Sequence, residues 1–88
     1  MKFRRAFSSE IFIRRHQMGL TQETVAELAG ISTRWYQQIE SGRRTPSGRL
    51  LLRLCAILQI DARLFYGTVG LDPAQLNWLD RSDHQPAE

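Results

Sequence analysis

Between Thr33 and Ser41 the sequence TRWYQQIES sets a guanidinium, two carboxamides and two aliphatic hydroxyls at helical spacing. Successive helical residues turn by about 100°, which groups Thr33, Arg34, Gln37, Gln38 and Ser41 on one side and Tyr36 with Ile39 on the other. Arginine makes paired hydrogen bonds to a guanine edge and glutamine to an adenine edge, so the polar side is equipped to tell base pairs apart. It carries no acid. A merely solvated helix face is dominated by Glu and Lys, and Arg with Gln-Gln fits base reading better. The sequence offers no nucleophile–base pair, carboxylate dyad or phosphate-cradling glycine loop, which argues against an enzyme. Two isolated histidines and one cysteine make no metal-ligand cluster, and no cofactor or small-molecule ligand is expected.

The stretch that positions this face is QETVAELAGISTRWYQQIES, residues 22–41, which reads as two short helices around a turn at Gly30. Val25, Ala26, Leu28 and Ala29 form an apolar stripe on the first. Thr21 and Ser32 are placed to cap the two helices by accepting from unpaired backbone N–H groups. Gly30 falls where the first helix ends in a left-handed residue. Helices joined so tightly cross steeply, and Ala26 is small enough for their closest approach. This is a helix-turn-helix pattern, which turns its second helix outward. Trp35 lies at the border of the two faces and reads as a packing residue. Glu40 falls on the inward side beside Ile39, where an unpaired acid is costly, and Arg15 is its candidate partner.

The 88 residues allow one small domain. Residues 1–53 hold ten basic and four acidic side chains, and residues 54–88 two and five. The basic half contains the helix-turn-helix, which suits a polyanionic partner. The single cysteine, Cys55, excludes an internal disulfide and points to a reducing cytoplasm. No apolar run approaches the roughly 18 residues of a membrane span.

Residues 1–7 read as a basic arm (Lys2, Arg4, Arg5) that lies along phosphates or reaches a minor groove, or else as a frayed terminus. The helix-turn-helix domain proper spans 8–67. Its first helix is expected from about Ser9 to Met18, capped by Ser8 or Ser9, with Phe7 and Phe12 forming a hydrophobic staple. Ile11 and Met18 mark its buried face. Arg14 and Arg15 are adjacent and cannot share a face, so one points to solvent or phosphate and the other inward. Arg43 and Arg44 sit on the loop after the polar helix, well placed for phosphates. Ser47 caps a helix over Gly48–Leu58 with Leu50, Leu51, Leu54, Ile57 and Leu58 as its apolar side. Asp61 caps a fifth, short helix in which Leu64 and Phe65 complete the core. Asp72-Pro73 opens a further helix within residues 68–80. Its Leu71, Leu76, Trp78 and Leu79 either finish the core or supply a dimer contact, and 81–88 form a disordered tail.

From Ile11 to about Phe65 the sequence resembles the lambda repressor and Cro-like (XRE-type) helix-turn-helix family. The likeness rests on Arg15, Gly19-Leu20-Thr21-Gln22, Val25-Ala26, Ala29-Gly30-Ile31-Ser32, Ile39-Glu40-Ser41-Gly42, and Pro46-Ser47 before a leucine-rich helix. It implies an all-α fold, a compact five-helix domain that binds operator DNA as a homodimer in a bacterial or phage-encoded regulator. It also implies that Gln22 holds a phosphate, that Ser32, Thr33, Arg34 and Gln38 meet bases, and that Arg15 pairs with Glu40. Two positions depart from the family: Tyr36 replaces a smaller aliphatic residue and Arg14 a leucine. The Tyr36 hydroxyl either reaches the DNA backbone or enlarges the core, and Arg14 is taken as a phosphate contact. The expected function is a sequence-specific transcriptional regulator, a repressor by preference. The rival is a protein-interaction module with a protein partner, such as the antitoxin of a toxin–antitoxin pair.

Overall fold

The computed structural model describes residues 2–70, all of them in helices or the turns between them. Helix α1 spans Lys2–Gln17, α2 Gln22–Ala29, α3 Thr33–Glu40 and α4 Gly48–Leu58, and a 3-10 helix covers Ala62–Val69. The expected helix over 72–80, the dimer residues Leu71, Leu76, Trp78 and Leu79, and the tail 81–88 lie outside the described residues. No helix among the described residues is long and apolar enough to cross a membrane.

The caps read from the sequence for α2, α3, α4 and the last helix are in place. Thr21, Ser32 and Ser47 each accept from a backbone N–H three residues on, and Asp61 accepts from that of Arg63, two residues on. Gly30 is left-handed, at φ 76°. Its N–H donates to the Glu27 carbonyl at 3.1 Å and that of Ile31 to Ala26 at 3.0 Å. This pair of bonds satisfies the last carbonyls of α2 and reverses the chain within two residues. The same pair closes α1, α3 and α4. At α4 the left-handed position is held by Gln59, the one non-glycine residue with positive φ among those described, at 57°.

The core joins all five elements: Phe7 and Ile11 of α1, Val25, Ala26 and Ala29 of α2, Tyr36 and Ile39 of α3, Leu50, Leu54, Cys55 and Leu58 of α4, then Ile60 and Phe65. Ala26 is buried between α2 and its neighbours, as the tight turn requires. Burial, with the Asp61 charge second, pushes the Cys55 thiol up, which keeps it in the unreactive thiol form.

Four expectations need correcting. The helix does not begin at Ser9, and residues 2–7 are neither a loose arm nor a frayed end, because α1 starts at Lys2. Phe3 and Phe7 stack at 5.5 Å, and each meets the Phe65 ring edge-on, at 5.6 and 5.4 Å. That contact with a residue far along the chain holds the first turns. The helix therefore runs through Ser8 and Ser9, where neither is a cap, and Ser8 donates back to the Arg5 carbonyl. No staple forms either, since Phe12 faces solvent beside His16. Leu28 is exposed because it lies about 60° beyond Val25, on the side away from Ala29 and Ala26, outside the face that the three bury. Leu64 is exposed because the last helix has about three residues per turn, which aligns Ala62, Phe65 and Thr68 and leaves Leu64 outside.

Gln59→Gly is expected to stabilise the domain by roughly 1 kcal/mol, since it removes the Cβ strain of a left-handed residue. The check is thermal unfolding, where that gain raises Tm by about 4–8 °C for a domain of this size. An unchanged or lower Tm would count against the strain.

Candidate nucleic-acid interface

The inward side of α3 is fixed by one carboxylate. Arg15 grips Glu40 with both arms of its fork, Nε to Oε2 at 2.7 Å and Nη2 to Oε1 at 2.9 Å. The Tyr36 hydroxyl donates to Oε2 at 2.7 Å and the Gln22 amide nitrogen to Oε1 at 2.8 Å. Four donors saturate the acceptor sites of an ionised carboxylate. The third arm of Arg15 closes on the Leu20 carbonyl at 2.8 Å, so α1, the α1–α2 turn, α2 and α3 meet at this cluster. Among the described residues no buried side-chain polar atom lacks a partner.

Burial alone would raise the Glu40 pKa. The hydrogen bonds from Arg15, Tyr36 and Gln22, with the Arg15 charge, outweigh it and hold the carboxyl below its ordinary value. Burial, then the bond to Glu40, pushes the Tyr36 phenol up, so it stays a donor. The Arg15–Glu40 pairing expected from sequence is therefore present. The phosphate role expected for Tyr36 is not: its side chain is fully buried and its hydroxyl is bound to Glu40. Arg14 is also corrected. Its Nε donates to the Leu58 carbonyl at 3.1 Å and its Nη1 to Gln17 at 3.0 Å, so it caps the end of α4.

The outward side of α3 is the polar one. Arg34 and Gln37 are exposed, and Thr33 and Gln38 are half-exposed. Arg34, Gln37, Gln38, Ser41 and Arg43 line an open depression of ≈ 370 Å³. No described segment of the chain covers it. Ser32 stands exposed at the head of the helix, its oxygen accepting from the Trp35 N–H. Trp35 is 39% exposed, at the edge of α3 beside Ile31, Leu50 and Arg53. Arg43 and Arg44 are exposed on the following loop.

Two features escaped the sequence reading. Gln37 donates its amide to the Gln22 carbonyl oxygen at 3.1 Å, which ties the polar face to the Glu40 cluster. Arg4 and Arg5 come beside Ser8, Ser41 and Gly42 around a second hollow of ≈ 220 Å³, with Arg4 Nε donating to Thr45. Basic side chains from the start of α1 thus extend the cationic edge of the α3 end. The spacing Phe3-Phe7-Ile11, four residues apart each time, was the signal that a helix begins early. No group of three or more His, Cys, Asp or Glu able to hold a metal occurs among the described residues.

Removing one partner of a buried pair strands the other charge, so Glu40→Ala should cost about 3–5 kcal/mol at pH 7, close to the whole stability of a small domain. The depressed carboxyl also sets a sign. Its stabilisation is complete above the unfolded pKa of about 4.3 and is lost as pH falls through the lower folded value. Urea unfolding of wild type and Glu40→Gln should therefore differ most near neutrality and converge below about pH 4. A gap that stays constant down to acid pH would contradict the charged cluster.

A family model described as a helix-turn-helix domain matches residues 7–65, well over half the chain. Comparisons with curated proteins and with solved structures give no match. The matched stretch takes in the Gly30 turn, both helices around it, the Arg15–Glu40 pair and the packing helices on either side. On that match, and on a fold and a polar third helix that agree with it, the chain belongs to the helix-turn-helix domain family of DNA-binding regulators.

Proposed function

We propose that the protein is a sequence-specific regulator of transcription, a repressor by preference, that binds double-stranded DNA as a homodimer with α3 in the major groove. The observation that carries this reading is the depression in which Arg34, Gln37, Gln38, Ser41 and Arg43 converge, which no described segment covers. In a groove that admits one helix, Arg34 and Gln38 read bases, with Ser32, Thr33 and Gln37 beside them. Arg43 and Arg44 flank the helix on its loop and hold phosphates, which set register without carrying sequence information. Gln22 has one amide N–H left over beyond its bond to Glu40 and keeps a phosphate within its chemistry. Two copies place their reading helices roughly 34 Å apart, one turn of DNA, and so favour a near-palindromic site.

Selection of binding sites from random duplexes, followed by a salt titration on the winner, gives specificity, half-site spacing and the number of phosphates engaged. Arg34→Ala is expected to relax base preference at one position, with a loss of about 1–3 kcal/mol of discrimination. Arg43→Ala should weaken all duplexes alike and lower the salt slope by about 1. Equal loss on cognate and scrambled duplexes for Arg34→Ala would refute the assignment. A stable complex with a second protein, and no salt-sensitive DNA binding, would favour the antitoxin-like reading instead.

A further inference from the structure

The bonds that run outward from Glu40 have a direction. A carboxylate only accepts, so Gln22 must turn its NH₂ inward, as it does with Nε2 at 2.8 Å from Glu40 Oε1. The Gln22 carbonyl oxygen then faces α3 and also accepts. Gln37 must therefore present its own NH₂, and its Nε2 lies 3.1 Å from Gln22 Oε1. Turning over either amide would set oxygen against oxygen or N–H against N–H. The orientation of both groups is thus imposed from the buried end, which is itself locked by Arg15 and Tyr36.

What remains on the exposed side of Gln37 is its carbonyl oxygen and one N–H. That combination complements adenine, whose major-groove edge offers an amino donor beside the N7 acceptor. Guanine offers two acceptors there and thymine an acceptor with a methyl group, so both present an acceptor where a donor is wanted. We infer that Gln22 is a specificity-determining positioning residue, which relays the Glu40 carboxylate's demand for a donor to Gln37 and so fixes Gln37 to prefer adenine. The inference rests on the base-reading role proposed above for α3. It deepens that role by assigning part of the readout to a residue that need not touch a base.

The test measures binding of Gln22→Met, Gln37→Met and the double variant to the selected duplex and to the duplexes that change one base pair at a time. Gln22→Met keeps length and leaves Glu40 bound to Arg15 and Tyr36. Gln22→Asn, still polar but too short to span from Glu40 to Gln37, guards against misfolding of the first. Both Gln22 variants and Gln37→Met should relax discrimination at the same base pair, by about ten-fold. The double variant should relax discrimination no further than Gln37→Met alone, because the two residues read that base pair as one unit, whatever uniform affinity is lost with the Gln22 phosphate contact. Losses of discrimination that add or fall on different base pairs, or Gln22 variants that weaken every duplex without relaxing any base pair, overturn the relay while leaving DNA reading intact. A wild-type protein with no sequence-dependent binding overturns the DNA reading and the relay with it.

Discussion

The saturated carboxylate of Glu40 is the constraint on which the domain turns. An acid buried on the inner side of an eight-residue helix is tolerated only because four donors from three helices converge on it. Such a cluster is a poor source of net stability, since desolvating both charges offsets most of their attraction. Its effect is geometric. The bidentate fork, the phenol and the amide each fix one distance, and together they set the angle at which α3 leaves the body of the protein. Apolar packing by Tyr36 and Ile39 supplies the burial, and the cluster makes one arrangement better than its neighbours.

Local geometry completes what the cluster begins. Each of the four α-helices ends in the same pair of backbone bonds, and α2, α3 and α4 are capped by a hydroxyl. Helices of eight residues are too short to persist in water on their own. They persist here because their ends are satisfied locally and one side of each is buried. The turn at Gly30 has only three residues between α2 and α3, so the polar side of α3 inherits its orientation from α2 and, through Gln22, from the ion cluster.

What the sequence disclosed follows the range of the interactions. Caps, the Gly30 turn and the division of α3 into two faces depend on near neighbours and were legible, as was the need for a partner at Glu40. Arg15 could be named because an acid beside Ile39 has few ways to be satisfied. The early start of α1 was hidden because it depends on Phe65, more than fifty residues away, and three basic residues among the first five suggested a solvated arm. Tyr36 and Arg14 were misassigned for a shared reason: a polar tip on a long side chain reads as outward-facing until its internal acceptor is known. Those acceptors, Glu40 Oε2 and the Leu58 carbonyl, are fixed only by the packing of helices. Leu28 and Leu64 failed on angle, the first by part of a turn and the second because a 3-10 helix has a different period.

The two sides of α3 are therefore unequal in what they tolerate. Among the described residues Thr33, Arg34 and Gln38 make no side-chain hydrogen bond to another residue, so their identities can change with little consequence for folding. Tyr36, Ile39 and Glu40 cannot, because each is buried among partners from other helices. Gln37 belongs to neither group. It is exposed, yet its amide is held by Gln22, which is held by Glu40. Binding partners that meet Arg34 or Gln38 meet flexible side chains and must order them on contact, at a cost in rotamer entropy. A partner that meets Gln37 meets a group already oriented by the core. The position of least freedom on the polar face of α3 is thus the one wired to the buried charge, and a partner that contacts it orders less than at its neighbours.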